Sequence, residues 1–382
     1  MKTKLVRSGA SARKLGSFLL NYRITQKCRP VGDPGVGPLR RVALSSGLIG
    51  VVHSPEIYSG RALAVFNWSA MIPAFNLHVW LFGFLWSTFP LAGSAQTLAD
   101  RLGYPPGTKI VIVHADDLGE THAVNAAAIK AFESGTINSA SLMVPCPWFP
   151  EIADYANSHP DADFGLHLTL TSERVYYRWG PVAPADKVPS LVDKTGYFHH
   201  DWEHGEHVNP QEVEVELRAQ IERALAMGVR PTHLDSHQYR LIVSGKELFD
   251  VMVRVAHEYK LPIFVTRDWF ADHPYLQQSL GADDIVVDHT VTIGPEVTAD
   301  KWAEFYIAAL KNLKPGVTEF VIHPGLDDEE LRAATRERST WGSAWRQRDY
   351  DFFTSDQFRE ILAQQKIRLI TWRELARKAP QK

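Results

Sequence analysis

Two adjacent aspartates, Asp116 and Asp117, follow a run of β-branched residues in the stretch KIVIVHADDLG, residues 109–119. Other apolar stretches further along the chain also carry side chains that can act in catalysis: His167, His233, Asp235, His237 and His323. Two imidazoles and one carboxylate can form an open hydrolytic metal site, which leaves positions for water and substrate. A second carboxylate can accept a proton from the attacking water. These residue types therefore indicate metal-dependent hydrolysis.

The aspartate pair can fill two roles only if both side chains reach one pocket. Adjacent residues of a strand point to opposite faces, but the backbone turns where a strand ends. We therefore expect one acid to bind a metal ion and the other to act as the base. The alternative, which the sequence leaves open, is that one of them caps the helix expected to begin near residue 121.

Strands are expected to alternate with helices from Lys109 onward. The predicted strands are 109–114, 139–144, 163–170, 231–237, 262–267, 319–323 and 367–371. The predicted helices are 122–133, 148–158, 209–227, 247–259, 302–313 and 355–365. This alternation predicts a parallel α/β sheet with right-handed crossovers, and seven strands in about 265 residues favour a barrel over two open sheets. Because the active sites of such barrels lie at the carboxyl ends of the strands, we expect the polar residues to meet there.

Charge and cysteine content exclude several classes of protein. The first seventy residues hold eleven Lys and Arg and two Asp and Glu, whereas the rest hold thirty basic and forty-two acidic residues. An acidic body is a poor partner for nucleic acid, so no nucleic-acid binding is expected. The two cysteines, Cys28 and Cys146, can form neither a disulfide framework nor a Cys-based zinc cluster.

The front of the chain is not expected to belong to the fold. Residues 62–99 contain no Lys, Arg, Asp or Glu. Within them, residues 71–95 resemble a secretory signal with cleavage after Ala95, so that 1–70 is a basic leader and 96–382 an exported domain. The alternatives are an uncleaved membrane anchor near 77–95 and a buried helix.

Five motifs occur in a fixed order along the chain: HADDLG at 114–119, GTINSASLMV at 135–144, GLHLTLT at 165–171, PTHLDSHQ at 231–238 and EFVIHPG at 319–325. With these motifs the chain resembles the YdjC family of ChbG/HpnK-like carbohydrate deacetylases. The resemblance spans roughly residues 109–375. It implies a deformed (β/α) barrel, related to polysaccharide deacetylases, that removes acetyl groups from N-acetylated sugars with the help of a divalent metal ion.

The resemblance also implies roles for individual residues. Asp117, His167 and His237 correspond to metal ligands, and Asp116 to the general base. His323 is the candidate general acid, while His233 and Asp235 are expected to support the ligating imidazoles. The metal is Mg²⁺ by family resemblance, whereas the ligand types favour Zn²⁺ or another transition ion.

Two further residues are expected to act around the ligands. The family commonly ends its fourth-strand motif with histidine, where this chain has Tyr239, an expected contact to the substrate or to the ligands. Arg267 is expected either to stabilise the oxyanion of the reaction or to form a salt bridge.

A long aromatic insertion separates the third and fourth predicted strands. Its rings and histidines are Tyr176, Tyr177, Trp179, Tyr197, Phe198, His199, His200, Trp202, His204 and His207. Long loops of this kind are often lids, so Trp179 and its neighbours are expected to stack on a sugar. The alternatives are a homodimer interface and a hydrophobic cover.

Two alternative functions stay open at this point. One is metal-dependent hydrolysis of another acylated substrate, such as a lipid-linked sugar. The other is sugar binding without catalysis, which the intact set of Asp116, Asp117, His167 and His237 disfavours because a binding protein needs no base.

Overall fold

A buried strand, β1 (Lys109–Leu118), forms the centre of the fold. Every residue of it except the first is buried, as expected for a β-branched strand covered on both faces. One edge of β1 pairs in parallel with β6 (Gly316–Ile322) over residues 109–115. Its other edge pairs first with β7 (Arg368–Leu369) at residues 110 and 111, and then with β2 (Ser139–Leu142) from residue 114 onward.

The protein is described by a computed structural model, which covers residues 96–201 and 208–378. The predicted leader (1–70) and the predicted signal or anchor (71–95) lie outside the described residues, as do Trp202, His204 and His207. Export and cleavage after Ala95 therefore stay predictions. In the described ranges, no helix is both long enough and apolar enough to span a membrane.

The described residues contain seven strands, which form one parallel sheet in the order β4-β3-β2-β1-β6-β5, with β7 beside β1. Their bounds are β1 Lys109–Leu118, β2 Ser139–Leu142, β3 Phe164–Leu168, β4 Leu234–Ser236, β5 His289–Thr292, β6 Gly316–Ile322 and β7 Arg368–Leu369. The predicted parallel α/β barrel is confirmed in its deformed form.

The prediction of a regular strand at 262–267 is wrong. This segment forms only two isolated parallel bridges, Leu234 with Ile263 and Thr266 with Val287. It thus connects β4 to the chain before β5 without a continuous ladder, which is the main irregularity of the barrel. The regular strand in this region is β5, which the sequence pattern does not predict.

Twelve α-helices lie in the described ranges. They are α1 Leu98–Arg101, α2 His122–Glu133, α3 Phe149–Ser158, α4 Pro210–Ala226, α5 Arg240–Val243, α6 Lys246–Tyr259, α7 Tyr275–Ser279, α8 Trp302–Lys311, α9 Glu329–Ala334, α10 Ser343–Phe353, α11 Asp356–Gln364 and α12 Trp372–Lys378. All six predicted helices are present to within two residues at each end. The clearest case is α2, which Thr121 caps and which is followed by Gly135 with φ of 70°.

Close packing joins β3 to the loop before β4. A Cβ atom at Gly165 would lie 2.4 Å from Nε2 of His233, so the ring of His233 occupies the space that a side chain would fill. The ring stacks on Trp372 with 5.2 Å between centroids, and it is fully buried. Glycine at position 165 is therefore required for this layer of the core.

We expect Gly165→Ala to lower the free energy of unfolding by about 1–3 kcal/mol, because the new methyl group overlaps a ring that is packed on its other side. Urea unfolding would measure the loss. Gly281→Ala is the control, since its nearest neighbour would be an ordinary 3.6 Å away. Equal stability of the two variants would contradict this account of the packing.

Candidate functional site

A bulge in β1 brings both aspartates to one side of the strand. The pairing with β2 advances from Ala115 to Leu118 on β1 while it advances only from Ala140 to Leu142 on β2. Asp117 lies at the extra residue and has φ of 70°, in the left-handed region that few non-glycine residues adopt. The alternative role as a helix cap is wrong for both acids, because Thr121 caps α2.

Asp117, His167 and His237 lie together from three different strand ends. Oδ1 of Asp117 is 3.3 Å from Nε2 of His167 and 3.2 Å from Nδ1 of His237. Ligand atoms that bind a tetrahedral ion at about 2.1 Å lie about 3.4 Å apart, so this spacing fits a metal site. Oδ1 of Asp117 is also buried without a hydrogen-bond partner in the described chain. These three residues could therefore hold a metal ion.

A carboxylate orients each of the two imidazoles. Nδ1 of His167 donates to Oδ1 of Asp235 at 2.7 Å, and Nε2 of His237 donates to Oε2 of Glu173 at 3.1 Å. These bonds leave the opposite nitrogen of each ring directed at Asp117. Metal-binding histidines commonly have such a partner, which fixes the tautomer and the ring orientation.

The second oxygen of Asp117 is held by a buried arginine from α10. Nη2 of Arg346 donates to Oδ2 of Asp117 at 2.6 Å and lies 3.1 Å from Oε2 of Glu120. Glu120 in turn accepts from Arg174 at 2.7 Å. All four side chains are buried, so each charge depends on the others for compensation.

Asp116 occupies a different position from Asp117. Its Oδ1 lies 3.2 Å from Nε2 of His114, whereas its Oδ2 lies 3.8 Å from Nε2 of both His167 and His323. One oxygen thus faces His114 in the core, and the other is directed towards the predicted ligand and the predicted acid. His323 is itself positioned through its backbone N–H, which donates to Asp349 at 2.9 Å.

The electrostatics of this pocket favour charged imidazoles near the aspartates. Burial by itself lowers the pKa of His114, but its bonds with Asp116 and Asp235 raise that pKa to about 10. For His237, the charge of Glu173 overcomes burial and raises the pKa to about 9. Burial also lowers the pKa of His167, but the charges of Asp235 and Asp116 outweigh burial and raise that pKa well above the usual value.

In two other groups of the pocket, the pKa is shifted so that the uncharged form is favoured. Burial lowers the pKa of His323 below its ordinary value, despite the nearby charges of Asp117 and Asp116. Burial also raises the pKa of Glu319 to about 8, although His114 favours its charged form. Both side chains are therefore largely uncharged at pH 7.

His233 lies behind this pocket and does not face Asp117. Its ring contacts His114 edge-on at 5.0 Å between centroids and stacks on Trp372. Burial and the charge of His114 lower its pKa well below the usual value, so it is neutral. Its role is to pack against His114, while Asp235 bonds directly to both His167 and His114.

Arg267 is not in the pocket, so the prediction that it stabilises an oxyanion is not supported. Its Nε lies 3.4 Å from Oδ1 of Asp288, and Oδ2 of the same carboxylate accepts the backbone N–H of Val317. Val317 is the second residue of β6, whereas His323 follows the other end of the same strand. Arg267 therefore forms the alternative salt bridge at the opposite end of the barrel.

Trp179 is buried, with 2 % of its surface exposed, and its indole N–H donates to the carbonyl of Thr171. Its backbone N–H donates to Ser172. The prediction that Trp179 stacks on substrate is thus not supported, since the ring packs the insertion onto the barrel. Phe198 is also fully buried, so this part of the insertion is a hydrophobic cover.

Tyr239 lies next to the pocket, two residues after His237. Its ring packs against Trp269 with 5.0 Å between centroids. Burial and the charge of Asp116 raise the pKa of its phenol well above the usual value. The phenol is therefore a neutral hydrogen-bond donor near the base, which is compatible with a substrate contact.

Sequence reasoning missed several residues of the site: His114, Glu120, Glu173, Arg174, Glu319 and Arg346. Two of them carry a recognisable signal, because His114 precedes Asp116 by two residues on the same strand and Glu319 is an acid within an apolar strand. Glu173 and Arg346 carry none, since a loop residue and a helix residue gain their roles only through distant contacts.

Comparisons with known proteins agree with the motifs. The model of the family described as YdjC-like protein matches residues 110–364. A carbohydrate deacetylase from Thermus thermophilus is 31 % identical over 290 residues, which cover 72 % of this chain and 97 % of the relative. A carbohydrate deacetylase from Brevibacillus brevis is 28 % identical over 284 residues, which cover 69 % of this chain and 99 % of the relative.

A crystal structure of an Enterococcus faecalis protein, provisionally named as a cellobiose-phosphate cleavage protein, has the same fold. It superposes with a TM-score of 0.59 at 28 % identity, and the match covers 70 % of this chain and 99 % of that one. The barrel, the order of the motifs and a family match over more than half of the sequence all agree: this chain belongs to the YdjC-like family.

Proposed function

We propose that this protein removes acetyl groups from N-acetylated sugars of the chito-oligosaccharide type, with the help of one divalent metal ion. The main support for this proposal is that Asp117, His167 and His237 converge. A separate carboxylate, Asp116, lies beside them. The relatives named as carbohydrate deacetylases support the substrate class and the reaction.

An ion held by Asp117, His167 and His237 would supply Lewis-acid chemistry, which polarises the acetyl carbonyl and acidifies water. Asp116 is the base in this proposal. Its Oδ1 faces the imidazolium of His114, so its Oδ2 is the oxygen free to accept the proton of the attacking water.

His323 delivers a proton to the departing amine, which is otherwise a poor leaving group. Because burial lowers its pKa, His323 begins as a neutral imidazole and must first gain that proton. Its Nε2 is 3.8 Å from Oδ2 of Asp116. The proton taken from water can therefore pass from Asp116 to His323 and then to the amine.

Acetate release from N,N′-diacetylchitobiose is the experiment that tests the proposal. We expect release by the isolated protein, loss of release after chelation, and recovery on addition of Mg²⁺ or Zn²⁺, compared in parallel to identify the ion. Absence of release from a protein that still binds one metal ion would contradict the sugar substrate. The alternative would then be another acylated compound, such as a lipid-linked sugar.

Substitution should distinguish the roles of the two aspartates. We expect Asp116→Asn to keep the bound metal and to lower kcat by about 10²–10⁴, because it removes only the base. Asp117→Asn should lose the metal, as measured by elemental analysis of the dialysed protein. Loss of metal in Asp116→Asn with retention in Asp117→Asn would show that the two roles are exchanged.

Glu173→Gln tests a residue that no sequence motif indicates. Glu173 accepts a hydrogen bond from Nε2 of His237 and so orients the ring. We therefore expect the substitution to lower the metal affinity by about 10–100-fold. Competition with a fluorescent chelator would measure the change. The control is Glu304→Gln, whose side chain is exposed and pairs with Lys301. Equal affinities of the two variants would contradict the orienting role of Glu173.

A further inference from the structure

Trp341 has a backbone conformation that is unusual for a large aromatic residue. Its φ is 55°, in the left-handed region. It lies in the connection between α9 and α10, directly before Gly342, and it is only half-buried. Such outliers persist where the surrounding structure fixes them, and they concentrate at functional sites.

Contacts within this connection hold Trp341 in place. A Cβ atom at position 342 would lie 2.3 Å from the carbonyl oxygen of Arg338, so only glycine fits there. The Thr335 hydroxyl accepts the backbone N–H of Ser343 at 3.0 Å. On its other side, the indole of Trp341 packs at 40° against Trp345, with 5.5 Å between centroids.

One guanidinium joins Trp341 to the candidate metal site. Nε of Arg346 donates to the carbonyl of Trp341 at 3.0 Å, while Nη2 of the same residue donates to Asp117 at 2.6 Å. The indole also lies 6.4 Å from the ring of His323, between centroids. Trp341 is therefore fixed relative to both the ligand carboxylate and the candidate acid.

Two aromatic residues of the described chain are more exposed than Trp341 but less suited to stack on a substrate. Tyr176 is 70 % exposed, but Arg336 lies over its ring at 4.1 Å. Tyr197 is 41 % exposed and has Arg178 over its ring at 5.2 Å. The face of each ring is thus already in contact with a cation.

We propose that Trp341 is the stacking platform for the pyranose ring of the substrate, at the rim beside His323. This inference rests on the proposed deacetylase function and adds to it a residue that recognises the sugar. Pyranose rings have an apolar face of C–H groups that packs on aromatic rings, and indole offers the largest such surface. The platform selects acetylated substrates that carry a sugar ring.

The test uses the metal-loaded full chain with Trp341→Gly, Trp341→Phe and the control Tyr176→Ala. Glycine adopts the left-handed backbone without strain and removes only the ring, so thermal unfolding should show no loss of stability beyond the contact with Trp345. With N,N′-diacetylchitobiose, we expect Trp341→Gly to raise KM about ten-fold with little change in kcat. Phenylalanine should restore part of the affinity, and Tyr176→Ala should match the wild type.

Calorimetric binding of the same disaccharide to Asp116→Asn protein, with and without Trp341→Gly, separates binding from reaction. Loss of binding with Trp341→Gly supports the platform. The platform would be overturned if Trp341→Gly left KM or disaccharide binding unchanged, or if the Asp116→Asn protein did not bind the disaccharide at all. It would also be overturned if kcat and the unfolding temperature fell together in Trp341→Gly. Trp341-dependent binding without acetate release by the wild type would support the platform and contradict the proposed reaction.

Discussion

Compensation of buried negative charge is the constraint on which this site depends. Five carboxylates are buried around the pocket: Asp116, Asp117, Glu120, Glu173 and Asp235. Three buried cations lie among them: His114, Arg174 and Arg346. Without a metal ion, the raised pKa values of His167 and His237 place protons on both rings, which supply the remaining positive charge. A divalent ion would bring the same charge to the same nitrogens, so metal binding and protonation compete there.

The sequence predicts the parts of the fold whose residues are buried in regular elements. β1 and β6 each contain a buried apolar run, and both are present with Asp116, Asp117 and His323 at the predicted ends. The pattern fails at β5, where HTVT is only half-buried and has no apolar run to recognise. It fails also at 262–267, an apolar segment that forms one isolated bridge to each neighbour instead of a ladder.

Within the site, too, the sequence reveals the residues at strand ends but not those that act through distant contacts. Asp116, Asp117, His167, His237 and His323 could be found because strand ends in a barrel are adjacent whatever their separation along the chain. Arg346 is 229 residues from the aspartate that it binds, and no local pattern connects the two. For Arg267 the salt-bridge alternative is the one observed, because a regular strand at 262–267 would carry it to the carboxyl edge, whereas the irregular segment places it beside Asp288.

Arg346 links the chemistry of the strands to the shape of the rim. By bonding both the carboxylate of Asp117 and the carbonyl of Trp341, it makes the left-handed turn at each of these residues depend on one buried guanidinium. Lysine could not replace it, because a single ammonium group lacks the planar fork that reaches both acceptors at fixed angles. Changes elsewhere in the α9–α10 connection can therefore reshape the rim, while Arg346 holds the carboxylate of Asp117 and the backbone of Trp341 in a fixed relation to each other.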